Sequence, residues 1–124
     1  MLLAAGIAVS LFIDPTDEAV DAAVDVGAPR IELHTGDYCG ARPGADRARE
    51  LARLVAAAKR GHAAGLHVAA GHGLDVANVG AVAAVPEIVE LNIGHAIVSR
   101  AVFIGLGAAV AQMRAAMERG RQAT

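Results

Sequence analysis

The hydrophobic pattern of this chain repeats four times. Aliphatic runs at Ile7–Ile13, Ile31–Leu33, Leu66–Ala70 and Ile88–Leu91 each give way to polar groups and then to a segment with helical spacing. A short, nearly continuous apolar run predicts a strand of a parallel sheet, and Ile7–Ile13 reads as one buried on both faces. Leu2 to Gly6 reads as a helix tail stopped by its glycine. Pro15-Thr16-Asp17 opens a helix to about Val26, with acidic residues near its positive end, and Asp14 reads as its cap. Asp37–Ala45 reads as a glycine-containing loop. A long helix is predicted over about Asp46–Ala64, with Leu51, Leu54, Val55 and Ala58 on one face and Arg47, Arg49, Arg53 and Arg60 at polar positions. Shorter helices are predicted over Val76–Ala83 and Ala96–Phe103. An amphipathic helix follows from Gly105 to about Arg119, with Gly120–Thr124 as a frayed tail.

Strand and helix thus alternate through one domain, residues 1–124, and such alternation predicts parallel strands with right-handed crossovers. Two α/β architectures fit: a small doubly wound sheet, or half of a (β/α)8 barrel, which when complete needs about 250 residues. The extra short helix after the last strand favours the barrel, because such barrels bind phosphate there.

Composition narrows the function. The chain is 55% hydrophobic and carries a net charge of -2, so it has a core and lacks the basic surface of a general phosphate-backbone binder. Phe12, Tyr38 and Phe103 are the only aromatics, too few for a base-stacking platform, and nucleic acid is disfavoured as a partner. Cys39 stands alone, which excludes an intrachain disulfide and a cysteine zinc cluster and favours a reducing compartment, the cytoplasm. Met1–Ile13 is uncharged, but it lacks a basic flank and is too short to cross a bilayer as a helix, so no membrane role is expected.

All four runs end in groups capable of chemistry. His72, between Gly71 and Gly73, suits proton transfer near neutrality; the alternative is a loop histidine capping the backbone. Glu32 and His34 lie two apart and share one face of a strand, so Glu32 either points into a barrel interior or forms an internal ion pair with an arginine. Gly94-His95, where a strand meets a helix start, either receives an anion or makes only a tight turn. Tyr38 and Arg42 give a weak anion-site signal, and His62, His67 and Cys39 are assigned no chemistry. No phosphate-binding loop, dinucleotide fingerprint or standard metal spacing occurs.

Four stretches together resemble the pyridoxine 5'-phosphate synthase family of vitamin B6 biosynthesis: Val9–Asp14, Ile31–Gly36, Ala70–Leu74 and Glu90–Ile97. The resemblance covers nearly the whole chain and implies the C-terminal half of a (β/α)8 barrel. It implies condensation of 3-amino-2-oxopropyl phosphate with 1-deoxy-D-xylulose 5-phosphate to pyridoxine 5'-phosphate, without metal or organic cofactor. His72 would then be the proton donor and Glu32 would stabilise a transition state. Gly73, Gly94 and His95 would bind the aminoacetone phosphate. The family motif Asn-Ala-Gly-His-Gly here begins with Ala69, and the residues of the pentulose phosphate site, with the general bases, lie outside the chain. Two unpaired edges and a partly apolar open interior imply that the chain needs the N-terminal half-barrel or a homo-oligomer. Alone it would be inactive, or would serve only as a phosphate-binding or assembly fragment.

Overall fold

In the computed structural model, which describes residues 2–123, β1 (Ser10–Ile13), β2 (Arg30–His34), β3 (His67–Gly71) and β4 (Glu90–Asn92) form one sheet in the order β1-β2-β3-β4. Every pair is parallel. Helices follow as α1 (Asp17–Asp25), α2 (Gly36–Gly40), α3 (Ala45–Ala63), α4 (Val79–Ala83), α5 (His95–Ile104) and α6 (Leu106–Gln122). A doubly wound sheet reverses its strand order at a switch point and carries helices on both faces. Here the order is strictly sequential and one face is left bare, which is the arrangement of half a (β/α)8 barrel.

Alternation in the strands separates the two faces. Ile31 and Leu33 are fully buried, and the register sets Val68 and Ala70 beside them. These four pack with Val20, Leu54, Ala58, Val79, Val82 and Ile88 in a single core, to which α6 adds Met113 and Ala116. Small residues bring α4 and α6 together, since a Cβ on Gly120 would overlap the Gly80 backbone. The other face holds Phe12, Arg30, Glu32, His34, His67, Ala69, Glu90 and Asn92. The open interior is therefore more polar than the runs of aliphatic residues suggested, with Phe12, 57% exposed, its one large apolar group.

Several expectations need correction. The first strand is shorter than Ile7–Ile13, and neither Ile7 nor Phe12 is buried, because β1 is an edge strand with helices on one side only. Thr16, not Asp14, caps α1: its hydroxyl accepts from the Ala19 amide. The expected loop after β2 contains α2, and α6 runs through Gly120 to Gln122, leaving only Thr124 of the expected frayed tail outside the described residues. Leu3–Ala5 is a 3-10 turn closed by Gly6 at φ +74°, as its glycine predicted. No described helix is long and apolar enough to cross a membrane.

Leu54 is the largest side chain that α3 buries completely against the sheet. Leu54→Ala should lower the unfolding free energy by about 2–5 kcal/mol in urea denaturation, the usual cost of an unfilled core cavity. A loss below about 1 kcal/mol would mean that this helix is not clamped to the sheet as described.

Candidate functional site

Parallel strands present their C-terminal ends along one edge, and the polar ends of all four runs gather there. An open cavity of about 760 Å³ at this edge is lined by Glu32, His72, Gly73, Gly94 and His95, together with Phe12 and Asn92. All five residues singled out in the sequence thus border one space.

Glu32 projects from the bare face of β2. Its carboxylate accepts from the Asn92 side-chain amide at 2.8 Å. Among the described residues no arginine bridges it, so the internal ion pair considered for Glu32 is not seen there. Gly71 makes this pairing possible: a Cβ there would strike the Glu32 carboxylate and the Asn92 carbonyl. Ala69 lies between Glu32 on one neighbouring strand and Glu90 on the other, and its methyl side chain can hydrogen-bond neither carboxylate. Glu90 pairs instead with His67, Nε2 to carboxylate 3.0 Å.

His72 has φ +85°, the only positive φ at a described residue other than glycine. A side chain in this left-handed region costs roughly 1–2 kcal/mol, so surrounding contacts must hold it. The His72 ring lies 4.8 Å from that of His34, centroid to centroid, and 6.4 Å from that of Phe12. Phe12 in turn meets the His34 ring edge-on at 5.1 Å. Asp14, freed from capping, approaches His34 Nδ1 at 3.6 Å. His72 consequently stands at the cavity rim, exposed to any substrate, while its ring is packed on one side.

At the opposite wall Gly94 precedes the first turn of α5, and no side chain caps that helix. The amide groups of its first turn are left for an external acceptor, and the helix dipole adds positive potential. With His95 as the first helical residue, this wall can receive a phosphate while His72 and Glu32 face the body of the same molecule.

The minor candidates fall away. Tyr38 is buried and donates its hydroxyl to the Asn78 carbonyl at 2.7 Å, so it contacts no anion. Arg42 lines a separate, shallower depression. Burial raises the Cys39 thiol above its ordinary pKa, only partly offset by Thr35, which leaves it a poor nucleophile near neutrality. His62 lies exposed on α3. No group of three or more potential metal ligands occurs among the described residues.

Asn92, Phe12 and the Asp14–His34 contact were not assigned roles from sequence. Asn92 was visible only as a polar strand end. Its relation to Glu32, sixty positions away, depends on the β2–β3–β4 register, which no local pattern encodes. Alternation from Leu11 and Ile13 would have set Phe12 on the Glu32 face once β1 was known to pair with β2.

Comparison with known proteins agrees with this geometry. The chain is 61% identical over 121 residues to the pyridoxine 5'-phosphate synthase of Thioalkalivibrio sulfidiphilus (strain HL-EbGR7). The match takes in 98% of this chain and 49% of the relative, so the chain spans about half the length of that protein. The family model described as pyridoxal phosphate biosynthesis protein PdxJ matches residues 1–119. With that match running through all four strand ends that build the cavity, the chain belongs to the pyridoxal phosphate biosynthesis protein PdxJ family.

Proposed function

We propose that this chain supplies one half of a pyridoxine 5'-phosphate synthase barrel, the part that binds 3-amino-2-oxopropyl phosphate and donates a proton during ring closure with 1-deoxy-D-xylulose 5-phosphate. The observation that carries this reading is the convergence of Glu32, His72, Gly73, Gly94 and His95 on a single cavity. The phosphate sits at the start of α5, held by backbone amides from Gly94 onward and by His95, with Gly73 leaving room for close approach. His72 protonates an oxygen that leaves as water, a role matched to an imidazole near neutral pH. Glu32, oriented by Asn92, stabilises positive charge as it develops on the amine-derived part of the substrate. No step calls on a metal or an organic cofactor.

The bare sheet face implies that turnover requires a second half. Arg30, Glu32, His34, His67 and Glu90 share that face, and a barrel interior needs strands on both sides to exclude water from such groups. The chain by itself is therefore inactive, and turnover requires the rest of the barrel, whether on the same polypeptide or on another.

The test is to mix the chain with a separately produced polypeptide covering the other half of the Thioalkalivibrio relative. Formation of pyridoxine 5'-phosphate by the mixture, and by neither part, is the expected result. Full turnover by the chain alone would contradict the requirement for a second half, and no turnover in a stable complex would contradict the activity. In the active complex His72→Ala should reduce kcat by about 10²- to 10⁴-fold while sparing binding of the aminoacetone phosphate. Equal loss of both would remove His72 from the proton-transfer role. Asn92→Ala should lower kcat, because Glu32 loses the side-chain amide that orients it. An unchanged kcat would show that this hydrogen bond is not required.

A further inference from the structure

Thr35 follows β2 and is completely buried, and it is not itself among the residues that line the cavity. Its hydroxyl oxygen lies 2.8 Å from the Gly71 carbonyl oxygen and 2.5 Å from the His72 carbonyl oxygen. A hydroxyl has one proton to give. The His72 carbonyl is the closer of the two acceptors, and the Gly71 carbonyl also accepts from the Thr35 backbone amide at 2.9 Å. That carbonyl belongs to the one described non-glycine residue with positive φ. The Thr35 amide thus extends the β2–β3 ladder by one step, and its hydroxyl catches the chain where it turns away.

Neighbouring contacts reinforce the same turn. Cys39, one helical turn after Thr35, has its sulfur 3.6 Å from the His72 carbonyl oxygen. Its Cβ would stand 3.1 Å from a Cβ placed on Gly73, a tight contact at a position whose φ of +80° already favours glycine. Beyond the turn, the Asn78 side-chain oxygen accepts from the Asp75 amide at 2.8 Å, and the Asn78 carbonyl accepts from Tyr38. The short helix α2 braces the loop after β3 at both ends, but only Thr35 reaches the left-handed residue through a strong donor.

We propose that Thr35 is a positioning residue for His72: its hydroxyl, by bonding the His72 carbonyl, holds that residue in the left-handed conformation that places the imidazole at the cavity rim. Thr35 touches no substrate and acts through the backbone of its neighbour. The inference rests on the reading of His72 as proton donor for its catalytic consequence, but not for its structural one.

The test therefore has two arms. In the first, the full chain is labelled and studied by NMR. The Thr35 hydroxyl proton should exchange slowly enough to be seen, with a cross-peak to the Gly73 amide. The coupling and shifts of His72 should report positive φ. In Thr35→Val that signature should be lost, and in Thr35→Ser it should be kept. A fast-exchanging hydroxyl in the unaltered chain, or an unchanged His72 in Thr35→Val, overturns the proposal, and the first of these readings is available even if the valine variant does not fold. In the second arm, in the complex with the complementary half, Thr35→Val should lower kcat by about 100-fold, the cost of roughly 1 Å of misplacement. KM should stay nearly constant, and Thr35→Ser should restore most of the rate. If Thr35→Val keeps full kcat while His72→Ala is inactive, the positioning role fails and the assigned activity stands. If the unaltered complex has no turnover, the assigned activity fails and the NMR arm alone decides for or against Thr35.

Discussion

The β2–β3 ladder is the pairing on which the other elements depend. It runs from Arg30–His67 to His34–Gly71, and Ile31, Leu33, Val68 and Ala70 bury its helix side. Parallel pairing aligns both strand ends at one edge, so the ladder sets Glu32 at a fixed distance from the turn that carries His72. A slip by one residue would exchange the core face for the polar face along a whole strand. That would bury Glu32 and His34 among aliphatic side chains, at a cost of several kcal/mol for an unpaired charge. Register and site are therefore enforced by the same free-energy term.

The site concentrates features that oppose stability. A carboxylate, two imidazoles and an amide crowd the upper end of the bare face, and one of those imidazoles sits on a left-handed backbone. Each is compensated locally: Asn92 bonds Glu32, Asp14 approaches His34, and Thr35 bonds the His72 carbonyl. The compensation comes from different strands in every case. The sheet is thus both the scaffold that delivers these groups and the source of the partners that make them tolerable. Gly71 shows how tightly the two roles interlock, since any larger residue in its place would displace the Glu32 carboxylate.

The bare face links the proposed function to the rest of the barrel. Its groups would be screened by water in an open sheet and much less so inside a closed barrel, where their fields on a bound substrate are stronger. Arg30, His67 and Glu90 lie below the cavity on that face, where a closed barrel would surround them with residues from other strands. The exposed ring of Phe12 at the edge strand points the same way, because it leaves apolar surface that a neighbouring strand would cover.

Much of this was legible in local sequence because it rests on short-range physics. Aliphatic runs and helical spacing specified four strands and their following helices, and a glycine marked where a helical turn stops, as at Gly6. The polar ends of the runs pointed to His72, Gly94 and His95, strand alternation pointed to Glu32, and the family resemblance added Gly73. The half-barrel followed from the strand and helix count with the resemblance, and the sequential strand order excluded the doubly wound alternative. What local sequence left open depends on contacts between residues far apart in the chain. Phe12 and Ile7 were read as buried because they are apolar, but burial is decided by which strand and which helix lie alongside. Asp14 beside Pro15 has the chemistry of a cap, yet Thr16 has the geometry, and Asp14 turns to His34. The Asn92–Glu32 and Thr35–His72 hydrogen bonds join residues 60 and 37 positions apart. Sequence alone determined which groups stand at the strand ends, because strand and helix periodicity are local. Only the tertiary structure decided which of them touch, because register between strands is set by the packing of the whole core.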